Sequence, residues 1–539
     1  MLPRRAIVRS ILLAASLLAF APALAPQNEV PSDDVTAEVL KFTRVYGVIA
    51  DNYVDAVDPD QTIFNGGIRG MLTALDPFSS FFDPDQFEQL KQFTQGKARG
   101  FGSVLYVQPG KILILQTAEG SPSFRAGLGP GDEIVSVNGT RIDLLDLRSL
   151  VELLQRARSQ TAQLGVIRPG SIVPQNFELN PAEIPMPSVD KAFLLKPGMA
   201  YLHLTGFDMK TPQEVSDAIQ KLGGTGLKGL LLDLRDNRGG VVDSAVGLAS
   251  LFLKPDLLVL TQRGRSMPEK SYRTSAAPTH FDCPMVTLVN ATTASAAEVF
   301  VAALQEHDRA LIAGEPTYGK GVVESVAPLS GGTGLALTTA QYFTPSGRSI
   351  QRPIPGTALE IPEKGLATSH DPASTFKTDN GRTVAAGGGI IPDLVLPTTS
   401  RDPWVTFLNQ RGAFTGFASQ FLTVHGKVTQ DFEPGDEVLQ SFRDFLERQR
   451  VRVPEEYWGV DQDYLKLRIK TEIFNLVFGL AVGDEVETRG DPQVEQAAAL
   501  FTKIPGLLQL PSPKAPSTRP GTRESHSKPP AAAARQTSR

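Results

Sequence analysis

The sequence reads as a multidomain α/β chain with a mostly parallel central sheet and helical regions at both ends. Three observations lead there. The runs Leu230–Leu234 and Met285–Val289 have the near-continuous hydrophobicity of strands buried on both faces. Strand patterns alternate with helical ones: Ala200–Gly206 is followed by a helix over Pro212–Leu222, and Val299, Phe300, Ala303, Leu304 and His307 recur at helical spacing after Met285–Val289. Residues 401–510 are helical in pattern, with Leu465, Ile469, Ile473, Leu476 and Leu480 on one face.

The 539 residues leave room for roughly three or four domains of ordinary size. A hydrophobic content of 41% with 21% charge suits a soluble globular protein, and a net charge of −5 gives no reason to expect nucleic acid as a partner. The single cysteine, Cys283, excludes an intramolecular disulfide; it reads as a small core residue, the alternative being a reactive thiol. Six scattered histidines form no His-Glu-x-x-His or Cys/His cluster, so neither a metal nor another cofactor is expected.

Residues 1–25 combine Arg4, Arg5 and Arg9 with an apolar stretch from Ser10 to Ala21 and then Ala23-Leu24-Ala25, the layout of a secretory signal peptide. The apolar part falls short of the roughly 20 residues a membrane span needs. The expected location is periplasmic or exported, at the outer face of the inner membrane if the segment stays uncleaved as an anchor. Val35, Val39, Phe42, Tyr46, Ile49 and Tyr53 step by three and four, which predicts an amphipathic helix. A second helix through Ile68, Met71, Leu72 and Leu75 stops at Asp76-Pro77, and Phe78–Phe82, Phe87, Leu90 and Phe93 add a dense apolar patch. Residues 32–98 therefore read as an N-terminal helical domain.

In GSPSFRAGLGPGDEIVSVNGTRI (Gly120–Ile142), glycine and proline force a tight turn between a short helix and the strand of Ile134, Val135 and Val137. Asn138-Gly139 reads as a hairpin turn and Leu147–Leu154 as a helix. This run resembles a PDZ domain of the bacterial, circularly permuted kind, covering 99–170. The resemblance implies that a peptide adds as a strand and that its terminal carboxylate lies on backbone N–H groups of Gly100, Phe101, Gly102 and Ser103. The alternative is that Gly100 and Gly102 merely turn the chain. Pro174–Pro197 reads as a proline-punctuated connector, and the α/β core spans 171–398. The tail 511–539, rich in Pro, Ser, Lys, Arg and Ala, is too poor in apolar residues to fold.

The chemistry centres on Thr293–Gly321. Ser295 stands at a strand-to-helix turn, where unpaired N–H groups and the helix dipole can stabilise an oxyanion. Its small neighbours Ala294, Ala296 and Ala297 would admit a substrate carbonyl. A serine needs a base, and Lys320 between Gly319 and Gly321 can serve if burial lowers its pKa. Taken alone, Ser295 reads as a helix N-cap. His307 lies three helical turns, about 18 Å, from Ser295 and is excluded as a partner.

This segment, with QYFTPSGRSIQ (Gln341–Gln351) and GGGIIPD (Gly387–Asp393), resembles the C-terminal processing peptidases, also called tail-specific proteases. The resemblance implies a Ser–Lys dyad of Ser295 as nucleophile and Lys320 as general base. DLRDNRGG (Asp233–Gly240) resembles the family's turn that supplies an oxyanion-hole amide, implying Gly239, or the adjacent Gly240, together with Ala296. Arg238 stands where the family often has proline. The flanking serines of the family's S-A-S-A-S-E are absent, and Glu324 replaces a usual glutamine four residues after the lysine, where its charge would favour protonated Lys320. The implied function is an exported serine endopeptidase with an inserted PDZ domain, acting on proteins or peptides with accessible C-termini. The alternative is a catalytically weak or inactive PDZ-based binding or scaffold protein. The family also implies homo-oligomers paired through 32–98 as the alternative to plain packing of that domain.

Overall fold

The computed structural model describes residues 18–19, 33–355, 375–386, 388–398, 403–459 and 462–508. The expected signal peptide, except 18–19, and the tail 511–539 lie outside the described residues, as does Gly387.

The N-terminal region follows its periodicity, with a helix at Asp33–Asn52 and a helical run from Asp60 to Thr73. A further helix, Pro84–Thr94, opens on an Asp83 N-cap that exchanges hydrogen bonds with Gln86. Between them, Ser80–Phe82 pairs antiparallel with Gly334–Phe343, which carries this region into a sheet of the α/β core.

The PDZ sheet runs in the order Ser103–Gln108, Lys111–Thr117, Glu133–Val137, Ala162–Ile167, Gln175–Leu179. Asn138 (φ 49°) and Gly139 (φ 79°) form the hairpin turn that Asn-Gly requires, pairing Val137 with Thr140. Helix Leu147–Ala157 contributes Leu150 to a core with Ile112, Ile114, Val137 and Leu164. The stretch read as a connector is instead mostly strand. Gln175–Leu179 closes the PDZ sheet, Ala182–Pro185 pairs with Lys97–Gly100, and Val189–Lys196 forms an edge of the core sheet. The prolines sit at edges and ends, where the missing N–H costs no ladder bond.

The core sheet is mostly parallel, as expected. Val189–Lys196 lies antiparallel to Met199–Leu204, followed in parallel by Gly229–Asp233, Met285–Val289, Leu311–Gly314 and Leu394–Val395. On one face Leu202, Leu204, Leu230 and Leu232 pack against Val215, Leu248 and Phe300 from the helices Thr211–Leu222, Val242–Ser250 and Ala296–Glu306. On the other, Tyr201, Leu231, Val286 and Leu288 meet Val494, Ala497 and Leu500, from and just beyond helix Pro492–Ala499. Burial on both faces explains the uninterrupted apolar runs. The remaining C-terminal helices build their own core from Phe414, Phe417, Phe442, Leu465, Ile469 and Ile473.

A second, antiparallel sheet was not foreseen. It joins Val322–Pro328, Gly334–Phe343, Leu258–Gly264 and Met267–Arg273, with Leu18–Ala19 parallel to Val322–Pro328 at Glu324 and Ser325. Lys320 lies just before the strand Val322–Pro328 of this sheet, and Ser295 lies on the loop that follows the strand Met285–Val289 of the first.

Candidate active site

Ser295 is the residue just before helix Ala296–Glu306 and holds φ 64°, ψ −123°. Such a conformation costs a non-glycine residue on the order of 1–3 kcal/mol, and the surroundings must enforce it. They do so through two loops laced together. The Thr293 hydroxyl donates to the Leu234 carbonyl at 2.8 Å, the Ala294 N–H to the Asn237 carbonyl at 2.9 Å, and the Asp236 N–H to Asn290 Oδ1 at 3.0 Å. The Ser295 N–H donates to Glu298 Oε2 at 2.8 Å. Only this half of a capping box closes. Ser295 Oγ is buried with no hydrogen-bond partner among the described residues, so the N-cap reading does not account for it.

The glycines beside Lys320 have a packing reason. A Cβ on Gly319 (φ 90°) would lie 3.0 Å from the Gly389 amide nitrogen, and one on Gly321 would lie 2.8 Å from that of Gln351. The lysine is buried, 3% exposed, with Nζ 4.4 Å from the centre of the Phe78 ring and 3.1 Å from Glu324 Oε2. Neither Glu324 oxygen receives a well-angled hydrogen bond, so the pair is a close contact of poor geometry. Burial pushes the Lys320 pKa down; Glu324, then Asp76 and Glu298, oppose it without reversing the direction. Burial also pushes the Glu324 carboxyl up to about 7, against the pull of Lys320. Both members of the pair are thus displaced toward their neutral forms.

Glu298 joins the two halves. Its Oε2 accepts the N–H groups of Ser295 (2.8 Å) and Lys320 (2.9 Å), and its Oε1 accepts the Gly319 N–H (2.8 Å) and the Thr317 hydroxyl (2.5 Å). Burial raises this carboxyl to about 7 while the four donors pull it down. Tyr342 bridges from another side, donating to the Lys320 carbonyl at 2.6 Å and lying 3.4 Å from that of Ser295. The Ser295 turn and the Lys320 loop are therefore brought together, although they arise from different sheets.

The DLRDNRGG turn abuts the serine. A Cβ on Gly239 (φ 89°) would lie 2.8 Å from the Ala296 nitrogen and 2.9 Å from Ser295 Cβ. The Gly239 N–H, however, donates to Asn237 Oδ1 at 2.9 Å, so that amide is satisfied within its own turn. Gly240 (φ 148°) passes so close to the Phe207 carbonyl that a Cβ would overlap it at 1.9 Å. Ala296, at the first helical position, has no helical acceptor for its N–H. Arg238 is exposed.

In the PDZ loop, Gly102 has φ 79° and packs against Ser121, so this glycine is required for the turn. The Phe101 carbonyl accepts the Ser123 N–H at 3.0 Å, and Ser103 Oγ donates to Ser123 Oγ at 2.7 Å; Gly100 ends the strand leading into the loop. His307 stands just past the far end of the Ser295 helix, between Asp379 and the Leu258 carbonyl. Cys283 is partly buried, and burial raises its thiol pKa.

Sequence reasoning passed over Glu298, Tyr342, Phe78 and Asn237. Glu298 alone left a local signal, since Ser295-x-x-Glu298 has capping-box spacing.

The chain matches three family models: Peptidase family S41 over residues 198–359, a PDZ domain over 113–168, and the Activating protease CtpB N-terminal domain over 20–86. These define a PDZ-bearing serine peptidase of the S41 class. A carboxyl-terminal-processing protease of Synechocystis is 33% identical over 314 residues, covering 57% of this chain and 73% of that one. The carboxy-terminal-processing protease of Bartonella bacilliformis is 30% identical over 348 residues, covering 64% and 79%. Among solved structures, the photosystem II D1 C-terminal processing protease is 26% identical, covers 67% of this chain and 93% of that chain, and has a TM-score of 0.35. The chain belongs to the carboxyl-terminal processing protease family.

Proposed function

We propose that the chain is an exported endopeptidase that docks protein C-termini on its PDZ domain and cleaves with Ser295 as nucleophile and Lys320 as base. The observation that carries this reading is the single buried carboxylate of Glu298, which accepts the amides of both Ser295 and Lys320. It fixes two otherwise unrelated loops against each other. The strained turn leaves Ser295 Oγ without a partner, and burial favours the neutral amine that a base requires.

Lys320 Nζ takes the proton of Ser295 Oγ as the oxygen attacks the peptide carbonyl. The Ala296 N–H, at the positive end of its helix, meets the oxyanion. Gly239 can join it only by releasing Asn237; Gly240 is the adjacent donor. Collapse expels the amine, which takes the proton from Lys320, and water then hydrolyses the acyl-enzyme with Lys320 again as base. Gly100, Phe101, Gly102 and Ser103 receive the substrate carboxylate. Among the described residues no helix is long and apolar enough to cross a membrane; the N-terminal segment is the anchor of this reading if it stays uncleaved. Pairing of two copies through the N-terminal helices is part of the same reading; Val39, Phe42 and Val48 are exposed on the first of them.

Glu324 favours the second reading, a weak or silent peptidase retained for binding, because its charge opposes the lowering of the Lys320 pKa that burial produces. The test is kcat/KM against pH on one peptide for the wild type and Glu324→Gln, with Ser295→Ala as the blank. Removing the carboxylate is expected to shift the rising limb to lower pH and to raise activity near pH 7, each unit of pKa being worth about 1.4 kcal/mol. Superimposable profiles would remove Glu324 from the mechanism. The absence of any Ser295-dependent cleavage would favour the binding protein.

A further inference from the structure

His203 is the penultimate residue of the strand Met199–Leu204 and lies in register with Asp233, the last residue of the neighbouring strand, from which the turn that reaches Ser295 departs. Its Nδ1 lies 2.6 Å from Asp190 Oδ1 and its Nε2 lies 3.2 Å from the Arg235 carbonyl oxygen. Both partners are acceptors only. A neutral imidazole carries one proton, so either tautomer would set a lone pair against one of these oxygens. Only the imidazolium satisfies both contacts.

The groups around it agree. Asp233 and Asp190 approach from the two neighbouring strands, and Lys191, itself 3.7 Å from Asp484, is the opposing cation on the edge strand. Asp233 is engaged by the Arg235 guanidinium and by the Tyr201 hydroxyl at 2.8 Å, and Arg235 reaches on to Asp491 at 2.8 Å. Burial pulls the His203 pKa down, but Asp190 and then Asp233 outweigh it, with Lys191 opposing, and the net direction is up.

The Arg235 carbonyl opens the segment whose next members hold the nucleophile turn, through the Asp236 and Asn237 contacts and the close approach of Gly239 to Ser295. We infer that His203 is a positioning residue, a charged strut whose protonated ring holds the Arg235–Gly239 turn in its catalytic shape and releases it when the proton leaves. The inference rests on the proposed peptidase reading for its effect on rate, but not for its effect on structure.

The sign follows from the raised pKa. The strut is present at acidic pH and is lost as pH rises through a value above the ordinary 6.5 or so. Lys320 must lose its proton to act, whereas His203 must keep its own, so the profile is a bell with His203 setting the alkaline limb. Loss of the strut is expected to cost roughly tenfold or more in kcat, the range for a hydrogen bond to a charged group, with KM little changed.

The test uses the full chain and two readouts. Nitrogen-15 NMR of the histidine side chains, with His203→Gln for assignment, reads the charge on His203, and amide spectra read the Gly239, Gly240 and Ala296 N–H groups over the same pH range. The expected result is a His203 ring that loses its second proton above the ordinary histidine range, with those amides shifting at its midpoint. In kcat against pH, His203→Gln, which keeps a donor but cannot titrate, is expected to retain activity and lose the alkaline limb. A His203 that titrates at or below the ordinary histidine range, amides that ignore its titration, or an unchanged alkaline limb in His203→Gln would each overturn the inference. A wild type without peptidase activity would sink the proposed function, and the amide titration would still decide the role of His203.

Discussion

Lys320→Ala is expected to lower turnover by roughly 10⁴-fold or more, the scale on which a nucleophile–base pair fails when either member is lost. Binding of a peptide with a free C-terminal carboxylate should persist. The two effects separate because the PDZ loop belongs to a domain with its own core around Ile112, Ile114 and Leu150, whereas Lys320 is enclosed by Phe78, Glu324 and the Glu298 cluster. Single-turnover cleavage and titration of a labelled peptide measure the two separately. An affinity that collapsed with the rate would make Lys320 a residue of the fold or of the binding site.

Glu298→Ala is expected to be the most damaging single change to the framework of the site. It strips the acceptor from the N–H groups of Ser295, Gly319 and Lys320 and from the Thr317 hydroxyl. Each stranded buried donor costs about 1–3 kcal/mol, so together they approach the whole stability of an ordinary domain. The alanine variant is expected to unfold at a much lower temperature or to accumulate unfolded. Glu298→Gln gives the finer measurement. It preserves the volume but presents an NH₂ to two of the four donors, and should fold with a lowered Tm and with kcat reduced more than KM. Thermal unfolding beside steady-state kinetics checks this, and a glutamine variant with unchanged Tm and kcat would show that the four-donor cluster does not hold the dyad.

Legibility in the sequence followed burial. Leu230–Leu234 and Met285–Val289 were plain because both of their faces are covered, and the helix after Ser295 because its apolar positions keep helical spacing. Val189–Lys196 was missed as an edge strand flanked by prolines, and Val322–Pro328 because it buries Glu324 where an alternating pattern would place an apolar residue. Ser295, Lys320 and Glu324 stood out through motif resemblance, and the structure brings all three into or beside the Glu298 cluster. Phe78 read as one member of an aromatic patch; its place over Lys320 depends on the pairing of Ser80–Phe82 with Gly334–Phe343, a long-range contact that no local pattern encodes. His203 had no signal at all, because its meaning comes from Asp190 and Arg235 on neighbouring chain segments.

The central claim is that Ser295 carries the acyl group. The direct measurement is the intact mass of the full chain, acid-quenched during turnover of an activated peptide ester, followed by mapping of the modified residue. The account predicts a mass increase equal to the acyl portion, located on Ser295, absent from Ser295→Ala and not formed at a measurable rate in Lys320→Ala. Peptide cleavage with no adduct on Ser295, or undiminished cleavage by Ser295→Ala, would contradict it.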